Sequence, residues 1–336
     1  MNSIGFYQSH LDRVSRSFAF CIARLEGDLR YWVSHSYLLC RILDTVEDAN
    51  WVDPTLKQKS FSSFESFLMV LPEPQEFSLW VSQFPELPAH EYTLLQDSYS
   101  IFADFHALPP TVQKKILRSV LNMSRGMKHF SGASELRLST LAEVNQYCFF
   151  VAGLVGELLT DLVSEKTPTL GEHSYLSAHH FGLFLQKINL LKDQLEDEKQ
   201  KRFLVPSRQE LLASLRLDAQ GAISYIQSLP VSEKGFRLFC AWSLFLGLSS
   251  LPWIQKGWSL GLLGKIPRII TEKLLGRVER VIDDNAALLN LFQELMPTLP
   301  KHVVAAVPKA NLAWFPKVYE GALPASHLAQ LGMLPS

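Results

Sequence analysis

Apolar positions recur along this chain with the period of a helix and hardly ever with that of a strand. Phe18, Cys21, Ile22 and Leu25 fall at i, i+3, i+4 and i+7, one face of an amphipathic helix. Phe61, Phe64, Leu68 and Leu71 follow the same period, and Pro72 and Pro74 then stop that helix. Pro109-Pro110 closes a further segment running from about Tyr92 to Ala107. Thr140-x-x-Glu143 and Ser207-x-x-Glu210 read as capping boxes, in which the glutamate reaches back to the cap amide. Long helices are expected at 177–199, 232–250 and 267–295. Pro297, Pro300, Pro308, Pro316, Pro324 and Pro335 make 296–336 an irregular tail. The expected fold class is all-α: one large helical domain over 1–295, followed by that tail.

Two stretches are apolar nearly all round, Val144–Val163 and Phe181–Leu195, and such helices must be deeply buried. Gly153 and Gly156 inside the first each cost about 1 kcal/mol relative to alanine. Close approach of another backbone or of a ligand would explain them, and tight helix packing is the simpler of the two. Leu238–Ile254 is the longest apolar run, but Ser243, Ser249, Ser250 and Pro252 interrupt it. It reads as a core helix rather than a membrane span.

Composition narrows the picture. With 336 residues, 47% of them apolar, the chain is long enough to bury a large core without disulfides or a structural metal. Its 33 acidic and 32 basic residues exclude a nucleic-acid binder that works by bulk charge, and the apolar content excludes disorder. Cys21, Cys40, Cys148 and Cys240 form no CxxC pair and read as reduced, mostly buried thiols. Met1–Arg13 is polar and lacks the apolar run of a secretory signal. A cytoplasmic monomer is expected, with peripheral contact to the inner face of a membrane left open.

The chemistry lies in a pattern that occurs twice. Asp44-Thr45-Val46-Glu47-Asp48 and Asp193-Gln194-Leu195-Glu196-Asp197 both read D-x-x-E-D. On a helix this spacing stacks the carboxylates on one side, where like charges repel by about 0.2–0.5 kcal/mol per pair. Each cluster also falls near a helix C-terminus, where the macrodipole disfavours anions. One copy alone is a solvated acidic helix end; two copies, each following a greasy helix, point to a bound cation. Mg²⁺ prefers carboxylate oxygens and commonly shares them with substrate phosphates. Arg41, Lys192, Lys201 and Arg202 stand close in sequence, so the ligand expected is a diphosphate with a hydrocarbon tail. Aromatic faces, with Phe at 21 residues, would shelter the carbocation left by its ionisation. No Walker or dinucleotide glycine motif occurs, no H-E-x-x-H occurs, and His179-His180 read as ordinary residues on different helix faces.

Several blocks resemble the squalene/phytoene synthase family, on its squalene-forming side. They are Val14-Ser15-Arg16-Ser17-Phe18, Tyr37-x-x-x-Arg41-x-x-Asp44-Thr-x-Glu47-Asp48 and Tyr147-Cys148-x-x-Val151-Ala152-Gly153-Leu154-Val155-Gly156. Gly182-Leu183-Phe184-Leu185-Gln186-Lys187-x-Asn189 follows, then the second aspartate motif and Arg202-x-x-x-Pro206. The similarity covers roughly 10–290. It implies the isoprenoid-synthase α-fold around a central apolar cavity, and head-to-head condensation of two farnesyl diphosphates. In that reading Asp44, Glu47, Asp48, Asp193 and Asp197 hold Mg²⁺. Ser15, Arg16, Arg41, Lys192 and Arg202 bind diphosphate, and Gln186 and Asn189 line the cavity. Tyr147, with Tyr37 nearby, moves the proton lost as presqualene diphosphate closes. Reduction by NADPH then gives squalene, with Arg16, Arg41 and the basic Lys265-Ile266-Pro267-Arg268 patch near the cofactor phosphates.

The chain departs from the family pattern in three places. Lys192 stands where arginine is usual, Trp242-Ser243-Leu244 replaces I-P-Q, and the C-terminal anchor of the eukaryotic members is missing. A soluble, bacterial-type enzyme is therefore expected. The alternatives are a dehydrosqualene or phytoene synthase without the reductive step, and a non-catalytic helical assembly factor, which would be expected to lose the aspartates.

Overall fold

Helices form where the apolar spacing puts them. The computed structural model describes residues 1–131, 136–167, 170–262, 264–301, 312–321 and 325–333, with backbone alone at Arg16, Ser17, Glu172 and Ala325. The chain packs as two compact units: Met1–Ser134 with Asp161–Val163 and Val318–Glu320, and Glu135–Thr160 with Ser164–Lys317 and Gly321–Ser336.

The first unit carries α1 (Ile4–Val14), α2 (Arg16–Ile22), α3 (Gly27–Asp48), α4 (Pro54–Met69), α5 (Pro74–Ser82), α6 (Ala89–His106) and α7 (Pro110–Phe130). Pro54, Pro74 and Pro110 each sit in a first turn, where the missing amide costs nothing. Leu38, Leu39, Ile42, Leu43 and Val46 of α3 are buried, as is an edge-to-face cluster of Phe64, Phe67, Trp80 and Phe102. Leu25 and Leu71 fall beyond the ends of their helices, so the apolar period outruns the hydrogen-bonded elements by a turn.

The second unit carries β1 (Leu136–Arg137), α8 (Leu141–Cys148), a π-helical turn (Phe149–Gly153), α9 (Leu154–Ser164), α10 (Glu172–Lys199) and β2 (Arg202–Phe203). It continues through α11 (Arg208–Ser228), α12 (Lys234–Leu260), α13 (Arg268–Val281), α14 (Asn285–Leu295), α15 (Phe315–Val318) and α16 (Ala325–Gln330). The Thr140–Glu143 capping box is present in both directions, whereas Ser207 accepts from the Glu210 amide without a reciprocal bond. The helix expected over 267–295 divides, because Asp284 leaves the helix and caps α14 by accepting from the amides of Ala286 and Ala287. The two-residue parallel pairing of β1 with β2 had no signal in the alternation, being too short to show one.

The glycines of the apolar helices answer to backbone packing. A Cβ on Gly156 would strike the Ala178 carbonyl, and one on Gly182 the Ala152 carbonyl and the Gly153 Cα. Here the long α10 lies directly on α9 and the π turn. Among the described residues two segments are long and apolar enough to cross a membrane, Leu141–Ser164 and Lys234–Leu260, with 72% and 61% of their most apolar windows buried. The described parts of the tail carry side chains into the core. Phe315, Leu331 and Met333 are buried, Phe315 lies against Phe149 and Phe150, and Asn145 donates to the Gly332 carbonyl.

Candidate active site

The first aspartate motif is the last turn of α3. Its helix end is held by Trp51, whose indole N–H donates to the Val46 carbonyl at 2.8 Å. This fills one acceptor that a helix C-terminus leaves open. Asp44 is half-buried, Glu47 buried and Asp48 exposed. Arg41, one turn earlier, lies between Asp44, 3.8 Å away, and Glu91 of α6, to which it donates a short hydrogen bond. Burial would lower the pKa of this guanidinium, but the two carboxylates outweigh it and raise it. Burial pushes the Tyr37 phenol up to about 12, against the effect of its hydrogen bond with Ser15. Lys57, its pKa lowered by burial, feels the opposing charge of Glu47. The structure thus brings Ser15, Tyr37, Arg41 and Asp44 together. The side chain of Arg16 lies outside what is described.

The second motif occupies the last two turns of α10. Asp193 pairs with Lys192 at 3.1 Å and Glu196 with Lys199 at 2.9 Å. The backbone then turns through Lys201, whose φ of 59° is a conformation that glycine usually supplies. That turn leads Arg202 into β2, where Leu136 is its partner in register. From there Arg202 Nη2 donates to the Tyr147 hydroxyl at 2.9 Å, and its Nε lies 3.9 Å from Asp197 Oδ1. Tyr147 is 1% exposed, at the end of α8 immediately before the π turn. Such turns are frequent at functional sites. Gln186 is half-buried and Asn189 exposed on α10. Lys265 and Arg268 are exposed, and Arg268 bonds Glu272 one turn along its own helix at 2.8 Å.

Among the described residues no three of His, Cys, Asp and Glu form a cluster able to hold a metal ion by themselves. The donor set still fits Mg²⁺, which is usually bound by one or two carboxylates, water and substrate phosphate rather than by an all-protein cage. Asp44 and Asp48 on α3, and Asp193 and Asp197 on α10, each supply an i, i+4 pair of that kind.

Spacing alone could not find Glu91, because it reaches Arg41 from another helix. The same holds for a buried group on α10: Lys187 donates to Asp218 at 2.6 Å, and His180 Nδ1 lies 2.8 Å from the same carboxylate. Lys187 and His180 together hold the Asp218 carboxyl below its usual range against burial. His179 pairs instead with Glu157 of α9 at 3.3 Å, so the two adjacent histidines do face different partners. Trp242, one of the departures in the sequence, is buried and donates to the Leu275 carbonyl of α13.

A family model described as squalene/phytoene synthase matches residues 11–222. Squalene synthase of Rattus norvegicus is 34% identical over 208 residues, 61% of this chain and 47% of that protein. Squalene synthase of Eremothecium gossypii is 34% identical over 193 residues, 56% of this chain and 42% of that protein. The chain spans about half the length of these relatives. A solved structure of TcSQS with a bound ligand aligns over 98% of this chain and 97% of that one, at TM-score 0.74 and 22% identity. A dehydrosqualene synthase structure aligns over 83% and 96%, at TM-score 0.53 and 18% identity. The isoprenoid-synthase α-fold expected from the sequence is therefore the fold observed.

Proposed function

Because the chain belongs to the squalene/phytoene synthase family, we propose that it condenses two farnesyl diphosphates head to head, through presqualene diphosphate, to squalene. The observation that carries this reading is the repeated carboxylate pair at two helix ends, each with a cation beside it. Mg²⁺, when bound, neutralises the diphosphate and makes it a better leaving group. Asp44, Glu47 and Asp48 on α3, and Asp193 and Asp197 on α10, are the carboxylates that would hold Mg²⁺. Arg16, Arg41, Lys192 and Arg202, with Ser15, take diphosphate oxygens. Lysine at 192 offers a point charge there, where arginine would offer a two-pronged grip.

Tyr147 holds or moves a proton at its hydroxyl, which the Arg202 hydrogen bond fixes in place. Tyr37, kept protonated by its burial, serves as a neutral donor. Gln186 and Asn189 border the prenyl chains, and the apolar faces of α8 and α10 exclude water from the cations. NADPH, when bound, supplies the reducing power of the last step, with Lys265, Arg268, Arg16 and Arg41 at its phosphates. Every group assigned to catalysis lies within residues 1–295, and 296–336 supply none. The exposure of Arg268 and its bond to Glu272 favour one second reading, a dehydrosqualene or phytoene synthase that releases its product without reduction.

Substitution tests the metal assignment. Asp44→Ala and Asp193→Ala should each lower condensation of farnesyl diphosphate by about 10²–10³-fold or more, with melting temperatures near that of the parent. Full activity in either variant contradicts the assignment.

A further inference from the structure

One face of α6 is an inward stripe. Leu94, Leu95, Ser98, Ile101, Phe102 and Phe105 are all buried, and their spacing is that of a single helix face. Glu91 heads that stripe, one turn before Leu94 and Leu95. An acidic residue there is out of place unless something answers its charge. Two features answer it. Glu91 stands in the first turn of α6, where the macrodipole favours an anion. Arg41 of α3, the helix on which α6 packs, donates to Glu91 Oε1 through Nη2.

The same guanidinium has a second carboxylate within reach. Asp44, one turn on along α3, lies 3.8 Å from Arg41 Nη1, which is longer than a hydrogen bond. The Glu91 side chain is 14% exposed and that of Asp44 31%, so water screens the Asp44 pair more, and Glu91 holds the closer bond. His90 Nε2 is 3.9 Å from the same Glu91 oxygen and its side chain is exposed, too distant and too wet to compete. A guanidinium carries five donors, and the bond to Glu91 uses one. The others face a ligand on a nitrogen whose position α6 has fixed.

We propose that Glu91 is a positioning residue for the condensation: it holds Arg41 off Asp44, which keeps Asp44 for the metal and the guanidinium for the diphosphate. Without Glu91, Arg41 closes on Asp44, its i, i+3 neighbour. Each then takes from the other the group that the ligand needs. The inference rests on the Mg²⁺ and diphosphate roles proposed above. Glu91 touches neither ligand and acts through Arg41.

Titration calorimetry of the full chain with inorganic pyrophosphate and Mg²⁺ tests this without turnover. Glu91→Ala should weaken binding by about tenfold or more, the usual effect of removing a group that orients a residue of a metal site. Glu91→Gln has the same shape and keeps the acceptor without its charge, so its binding should fall between that of Glu91→Ala and the parent. In an Arg41→Ala background, Glu91→Ala should have no further effect, because its action passes through Arg41. Binding by Glu91→Ala as tight as the parent's overturns the inference. So does an equal loss in the Arg41→Ala background, or a lower melting temperature with unchanged binding, which would make the pair a strut between two helices. A parent that binds no pyrophosphate in the presence of Mg²⁺ overturns the proposed function along with it, and that result separates the two failures.

Discussion

At the scale of the residue, burial decides which ionisable groups carry charge. His35, on α3, is fully enclosed, and burial lowers its pKa from 6.5 to about 4. Its Nδ1 lies 2.8 Å from the Tyr7 oxygen, whose own proton goes to Asp104. The imidazole is therefore the donor of that pair and stays neutral. Because the folded value is depressed, the unfolded chain takes up the proton first as pH falls. Stability is fully present above pH 6.5 and is lost as pH falls towards 4, by about 3 kcal/mol for this group. Melting followed from pH 7 to pH 4 should show that decline, and His35→Gln should flatten it. An unchanged slope in the variant would assign the acid sensitivity elsewhere.

At the scale of the element, glycines report where backbones meet. Gly156 and Gly182 sit where α10 presses on α9 and the π turn, and neither has room for a methyl group. Gly156→Ala should cost about 1–3 kcal/mol or more, as overpacking does. Gly276 in α13 has only the Arg280 guanidinium within reach, at 3.8 Å, so Gly276→Ala should be neutral or stabilising by up to about 1 kcal/mol. Chemical denaturation of both variants separates the two cases, and equal losses would refute the packing account. The cost of these glycines was visible in the sequence, but the partner backbone was not. Helical period likewise located most elements, since it records the buried face. It missed the break at Asp284, where a polar cap interrupts an apolar series that would otherwise run on. It also missed β1 and β2, too short to alternate.

At the scale of the whole molecule, the acidic and basic totals nearly cancel while two helix ends hold the acids in groups. Each motif was legible because i and i+4 spacing on a helix is a statement about geometry. The partners that hold it were not: Glu91 reaches Arg41 from α6, and Arg202 reaches Tyr147 across a two-residue strand pairing. Those contacts depend on packing between elements, which periodicity does not encode. The tail read as irregular belongs here too, since Phe315 rests on Phe149 of the π turn and the Gly332 carbonyl accepts from Asn145 of α8, the helix that carries Tyr147.

The central claim is a Mg²⁺-dependent head-to-head condensation, and product analysis tests it most directly. The protein is incubated with farnesyl diphosphate and Mg²⁺, with and without NADPH, and the extract is analysed. Squalene with NADPH, and none when the metal is chelated, is the predicted result. Farnesyl diphosphate recovered unchanged in the presence of both Mg²⁺ and NADPH would contradict it.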